Sequence, residues 1–482
     1  MNEFIGTLEG WEDRSNKDSA EDLPPDNTEG STEYDAPRNQ LKTDPMLELV
    51  VELGDALNRS SYPTSRAREV LIDVTRAHKD DITVEVFPTL VFGVDRRHHD
   101  ISVASTGGAF RFDQMVDTQT LIQRLKHSDV EPAEALKELR TISSSKPPFP
   151  AWIRIAGYAL QALAFAQLFR MGLQATVLAT ALGVVVGTIM ILSNVKGTFA
   201  ALMPVLMTFI SALVISLFAL AGDSADPVRT AAVPVLILLP GATLTCALIE
   251  LATGDMIAGS SRLIYGIFIL IAMAFGFALA VAFAHVPSDT LQDLPEAESA
   301  WYWPWIVVPI FAIGNIMYFC TPRKLWGMMI AVTFLTYCTQ QLMQLIVSPA
   351  FAGGIAAGVA LLLAMFFNSE SRAGPSSLVL FLPTFWMLVP GSMGFVAISG
   401  VITNNRSLSS MGIQAVISLI SMAVGIMIAS MAAPFFAPGH KKVQEYLKPT
   451  AIVSETIEAT STVAKTAKKT TKATQKRKKK HK

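Results

Sequence analysis

This chain is short of charge. Only 16% of its 482 residues are Asp, Glu, Lys or Arg, where a soluble domain carries about a quarter. It has three cysteines, Cys246, Cys320 and Cys338, all in or near apolar stretches and without metal-ligand or disulfide spacing. They are expected to be small packed residues. No Gly-rich phosphate loop is present, which argues against direct coupling to ATP within this chain. Nor does a nucleophile–base–acid set stand out. The apolar stretches hold few His, Asp or Glu, and acid–base chemistry needs at least two such groups within reach, so a membrane-embedded enzyme is disfavoured. No cofactor is implied. Residues 1–30 lack the basic and apolar regions of a signal peptide, so the N-terminal part is expected to stay on the side of synthesis.

What the chain does have is partition. It is 51% hydrophobic, with a mean hydropathy of +0.40, and the apolar residues are concentrated in 151–432. The expected organisation is a disordered acidic leader (1–44), a soluble α+β domain (45–150), two membrane segments (151–284 and 301–432) and a basic tail (433–482). In the α+β domain, helical periodicity runs from Met46 and again from Ser65, the second helix expected to be Ser-capped. Ile82–Val94 and Asp100–Phe112 look like two strands, and helices are expected near Gln114–Lys126 and Pro132–Arg140. Ser143–Pro150 is the expected linker into the membrane.

About ten apolar stretches are long enough to span: Ala151–Leu168, Leu173–Leu192, Gly197–Leu220, Ala231–Thr253, Leu263–Ala284, Tyr302–Cys320, Leu325–Ile346, Ala350–Phe367, Ser377–Ile402 and Gly412–Met431. With the N-terminal domain inside, the cytoplasmic loops carry Lys196, Arg262, Arg323, Lys324 and Arg372, and the tail adds more. The opposite loops carry Arg170, Arg229 and Arg406, and the acidic loop His285–Ala300 has no Lys or Arg. This asymmetry places both termini in the cytoplasm. Two Pro-Gly pairs, Pro240-Gly241 and Pro390-Gly391, break the fourth and ninth stretches 150 residues apart. Five spans per half is an odd number, so the halves would be inverted repeats. Such repeats place a substrate site between their broken helices.

The candidate residues cluster at these breaks. Gly241 and Gly391 would let backbone amides reach a small zwitterion, with Pro240, Thr243, Thr245, Pro390, Ser392 and the buried amide Asn315 nearby in the expected spans. Glu250 lies nine residues after Gly241, about 13 Å along a helix. A charge within a span costs about 3 kcal/mol. Two roles are open to it: a protonatable coupling group, since an apolar setting favours the neutral acid, or an interfacial residue pairing with Arg262. Asp255 and Arg262 would share a face if the helix continued. The second half has no acid matching Glu250, so proton coupling is expected in the first.

In the N-terminal domain, Arg96–Asp100 (RRHHD) reads as a solvated turn, because adjacent strand histidines point to opposite faces. The lysine-rich tail suits the anionic cytoplasmic leaflet, and nucleic acid is not an expected partner. A homo-oligomer is compatible with the sequence.

The order of these motifs carries a family resemblance. A DAL-x-x-SS-x-PTSRAREVL helix pair (from Asp55) precedes LLPGATL…E…GD…R (Leu238–Arg262) in the first half and LVPG (Leu388–Gly391) in the second. The chain thereby resembles the bacterial threonine/serine exporter family over about residues 46–432. The resemblance implies proton-driven export of small hydrophilic amino acids across the bacterial cell membrane, with substrate and protons as partners. It leaves the substrate open, since split relatives are associated with dicarboxylate export. A channel or a non-transporting assembly platform is the reading from another class.

Overall fold

The computed structural model describes residues 44–193, 198–221, 227–287, 302–370, 377–388, 395 and 411–436. The chain from Asp44 onward forms one compact unit.

Helix α1 (Pro45–Arg59) starts where Asp44 accepts a hydrogen bond from Met46 N at 3.0 Å, with Pro45 already at helical φ. Its apolar face, including Leu47, Val50, Val51 and Leu57, is fully buried. Helix α2 (Thr64–Ala77) follows a short turn. Next come three strands in antiparallel order β1-β2-β3: β1 (Ile82–Val86), β2 (Leu90–Asp95) and β3 (Ile101–Ser105). The register pairs Val84 with Gly93, and Gly93 with Ser102. Alternation buries Val84, Val86 and Val91 in the same apolar cluster as α1. Helices α3 (Phe112–Lys126) and α4 (Pro132–Ser144) complete this head.

The sequence had suggested two strands here, and the structure has three. Ile82–Val94 is split because Pro88 offers no amide and Phe87 N turns back to Leu90 O at 2.9 Å. The second expected strand ends at Ser105, ahead of Gly107-Gly108, and Phe112 already opens a helix.

The rest is helical: α5 (Ala151–Leu168), α6 (Leu173–Leu192), α7 (Thr198–Leu220), α8 (Pro227–Ala232), α9 (Gly241–Ala252) and α10 (Met256–Ala284). After these come α11 (Trp303–Tyr318), α12 (Trp326–Gln344), α13 (Pro349–Glu370), α14 (Ser377–Leu388) and α15 (Met411–Phe436). Five, namely α6, α7, α10, α13 and α15, are long and apolar enough to cross a membrane. Shorter apolar helices occupy 227–238, 303–318 and 377–388. The protein is thus a polytopic membrane protein by its helices.

Close packing pairs α5 with α11, α7 with α10, and α13 with α15. The head docks through Phe112, whose amide donates to Phe319 O at 3.0 Å and whose ring stacks on Phe319 at 4.8 Å. Phe319 in turn lies 4.8 Å from Trp386 of α14.

The α5–α11 seam depends on having no side chain at Gly157. A Cβ there would sit 2.7 Å from both Met317 Cβ and Tyr318 N, and 2.8 Å from Gly314 O. Such overpacking costs about 1–3 kcal/mol. Gly157→Ala should therefore lower the melting temperature of the detergent-purified protein by several degrees. Gly172→Ala, at a position with no neighbour within 4 Å, should leave it within a degree; equal melting of the two variants would contradict this account of the seam.

Candidate functional site

The first Pro-Gly break is present. The chain passes from α8 into a 3-10 segment, Val233–Leu238, then through Leu239 and Pro240 (φ −78°, ψ 38°) before α9 begins at Gly241. A break among apolar helices frees backbone carbonyls that cannot turn to water. Two are satisfied by side chains from neighbouring helices. Tyr158 Oη donates to Pro234 O at 2.7 Å, and Ser211 Oγ donates to Ala231 O at 2.8 Å. Pro390, Gly391 and Ser392, the expected counterpart, lie outside the described residues.

Helix α9 ends at Ala252, and Gly254 takes a φ of +88°, a conformation that suits glycine. Asp255 then caps α10, accepting from Ala258 N at 3.4 Å. The helix therefore does not continue through Asp255. The sequence-based pairing of Asp255 with Arg262 along one helix gives way to another geometry. Because the chain reverses at Gly254, α10 runs back along α9 and brings Arg262 to Glu250. Arg262 Nε lies 3.2 Å from Glu250 Oε2.

Glu250 is fully buried, with 0% of its surface exposed. Its cover comes from the head. Thr64, also 0% exposed, opens α2, and its backbone N–H donates to Glu250 Oε1 at 3.0 Å. The Thr64 hydroxyl lies 3.1 Å from the same oxygen and 2.7 Å from Asp255 Oδ2. Arg262 Nη2 donates to Tyr62 O at 3.3 Å, just ahead of the same helix. The start of α2 carries no cap from its own side chains; the Glu250 carboxylate from α9 takes that place, where unsatisfied amides and the helix dipole favour negative charge. The expected Ser cap is thus replaced by Thr64 at the first helical position, turned toward the acids.

Glu250 pairs with Arg262, as one of the two sequence readings had it, and it is covered by the head. The pair is incompletely hydrogen-bonded, since neither Glu250 Oε2 nor Arg262 Nε has an aligned hydrogen-bond partner among the described residues.

Other candidates are not drawn into this clasp. Asn315 is fully buried, but its Nδ2 donates to Phe311 O of its own helix at 2.9 Å, and its Oδ1 has no hydrogen-bond partner among the described residues. Thr243 is half-buried on α9. Thr245 lies on the same helix, and its side chain is outside the description. Sequence reasoning missed Thr64. Its signal was the run PTSRAREV, where a proline followed by two hydroxyl residues opens a helix.

The fold and this buried acid–base cluster define a helical membrane protein with a charge site closed by its own N-terminal head. Residues 48–284, which contain the whole clasp, match the family model ThrE, described as "Putative threonine/serine exporter". The chain thus resembles the threonine/serine exporter family across the head and helices α5 to α10. It is 24% identical over 250 residues to the "Probable threonine/serine exporter" of Mycobacterium tuberculosis, covering 50% of this chain and 47% of that protein. Similarity extends to fungi. The "Pheromone-regulated membrane protein 10" of Candida albicans is 22% identical over 259 residues, 49% of this chain and 23% of that protein. An "Uncharacterized protein C16A10.01" of Schizosaccharomyces pombe is 19% identical over 376 residues, 74% and 44% respectively. The chain spans less than half the length of each of these relatives. No solved structure matches it.

A second titratable cluster lies in the head. Asp44, Asp95 and His98 bring their ligand atoms within 4.8 Å of one another. Local bonds account for them: Asp95 accepts from Arg97 N at 2.8 Å and contacts His98 Nδ1 at 2.5 Å, while Asp44 caps α1. The hydrogen bond between them raises the His98 pKa above its ordinary 6.5 and lowers that of Asp95 below 3.8. The His98 contribution to stability is therefore full below pH 6.5 and is lost as pH rises through the raised value. That of Asp95 is full above pH 3.8 and is lost as pH falls through the lowered value. His98→Gln should reduce thermal stability most between those two pH values, and the gap from the parent protein should close as pH rises through the raised His98 value. A gap that stays constant up to pH 9 would remove the ion pair as its cause.

Proposed function

We propose that this chain is a secondary active exporter of small hydrophilic amino acids, threonine and serine foremost, driven by the proton gradient. The observation that carries this reading is the buried Glu250 carboxylate, held in a helix next to a break and covered by Thr64 of the head. The family resemblance supplies the substrate class.

In this reading the membrane part has ten spans in two inverted halves within the cell membrane, with head and tail in the cytoplasm. The packing supports it. The third and fifth expected spans (α7 and α10) are close neighbours, as are the eighth and tenth (α13 and α15), and the first and sixth (α5 and α11) meet at the seam. Phe395 of the ninth stretch reaches Phe277 of α10 at 6.4 Å between ring centroids, while α9 packs against α15; each broken span thus touches the last span of the other half. The head contacts the α9–α10 turn through Thr64 and the end of α11 through Phe112, close to the inside-determining Arg262 at the start of α10 and to Arg323 and Lys324 after α11.

Pro240, Gly241, Thr243 and Thr245, with Asn315 and the counterpart residues Pro390, Gly391 and Ser392, form the path for substrate. Glu250 is the coupling group, with Asp255 and Arg262 tuning it. Antiport needs only that proton and substrate exclude each other. An ionised Glu250 attracts an ammonium group; a protonated one does not. The two carboxylates outnumber the one guanidinium, so the site repels a dicarboxylate and suits a zwitterion, which separates this reading from dicarboxylate export.

In inside-out vesicles with an acidic lumen, labelled threonine should accumulate against its gradient, and the protonophore-treated control should not accumulate it. Glu250→Gln, which mimics the protonated acid, should abolish accumulation. A variant that still concentrates threonine would sink the coupling role, and passive equilibration by the parent protein would point to a channel.

A further inference from the structure

We propose that the Glu250–Asp255–Arg262 clasp is itself a binding site for β-hydroxy-α-amino acids, and that Thr64 of the head occupies it as a built-in surrogate for the ligand. The inference rests on the exporter reading and assigns its substrate to a different place from the Pro-Gly breaks alone.

The geometry has three parts. First, Thr64 presents its N–H and its β-hydroxyl to Glu250 Oε1 at 3.0 and 3.1 Å, and the hydroxyl also reaches Asp255 Oδ2 at 2.7 Å. The N–Cα–Cβ–O fragment making these contacts is the same covalent unit that free threonine carries, and serine differs only in lacking the methyl group. Second, acceptors exceed donors. One backbone N–H satisfies Oε1, and the fully buried Oε2 has no hydrogen bond among the described residues. A free ammonium would bring three donors and a full charge, making each bond stronger than a neutral one. Third, the guanidinium of Arg262 is spent on Tyr62 O at 3.3 Å and an unaligned contact with Glu250. When the turn carrying Tyr62 lifts away, that guanidinium is free for a ligand carboxylate. The site thus matches the three polar groups of the ligand with three side chains.

Because Thr64 is fully buried, ligand and head cannot occupy the clasp together. Binding substrate releases the start of α2, and the head competes with the substrate. A ligand lacking the hydroxyl leaves Asp255 without its partner, and sites built around a substrate hydroxyl reject its absence strongly.

The test uses the full chain in nanodiscs. Binding of threonine, serine and 2-aminobutyrate is measured by calorimetry, alongside hydrogen exchange over residues 63–67. Threonine and serine should bind at least tenfold more tightly than 2-aminobutyrate, and saturating threonine should speed exchange at the start of α2. Thr64→Val, a weaker competitor, should bind threonine severalfold more tightly, and Thr64→Ser should match the parent. Equal affinity for 2-aminobutyrate, exchange unchanged by bound threonine, or a Thr64→Ser protein that behaves like Thr64→Val would each overturn the surrogate while leaving vesicle export intact. Absence of both binding and vesicle accumulation would overturn the exporter reading as well.

Discussion

A carboxylate with no exposed surface, placed at the end of an apolar helix, has to find its counter-charge and donors inside the protein. Removing one partner from a buried ion pair typically costs about 3–5 kcal/mol, so the surroundings of Glu250 are tightly constrained. The protein meets the demand from two directions. Arg262 comes from the helix that follows, folded back by the left-handed turn at Gly254. The hydrogen-bond donors come from Thr64, 186 residues upstream. Charge-assisted bonds of this kind are worth about 1.5–3 kcal/mol each. The head is therefore bound to the membrane part by chemistry that the membrane part needs.

The same demand shapes the local architecture. A helix running straight from α9 into α10 would keep Arg262 three turns away from Glu250; the reversal lets two successive helices close on one charge. Upstream, the break at Pro240 shortens α9 to twelve residues, with Tyr158 and Ser211 satisfying carbonyls freed just before it. Close helix crossings such as the Gly157 seam hold the donors of these bonds in place. The aromatic stack of Phe112, Phe319 and Trp386 provides a second attachment for the head. It is apolar, so it sets the head's position without depending on the state of the acid.

Much of this was legible in the sequence because it follows from local rules. Apolar stretch length marked the helices, and Pro-Gly marked the break that the structure shows at Pro240. The alternation in Ile82–Val94 marked strand, but periodicity alone does not reveal a turn of three residues inside it; Pro88 was the missed signal. The pairing of Glu250 with Arg262 was one of the two readings open for Glu250; the sharing of a face by Asp255 and Arg262 depended on a continuous helix, which the turn at Gly254 interrupts. Thr64 was out of reach for a different reason. A helix start is normally expected to be capped from within its own segment, and nothing in PTSRAREV says that its acceptor lies in another part of the chain.

That non-local cap has a mechanical consequence. Had Glu250 been satisfied wholly by membrane helices, exposing it would require pulling those helices apart and losing their packing. Here half of its partners sit on the head, which also shares an apolar cluster with Ile316, Leu325, Met329 and Phe385 of the membrane part. The cost of uncovering is the loss of the Thr64 and Tyr62 bonds, and any cation or donor that replaces them repays it in kind. A proton repays it by removing the charge, and an ammonium by matching it. In the exporter proposed above, an acid covered by Thr64 would be switched by either species, and two species that switch the same group by mutually exclusive means are what exchange across a membrane requires.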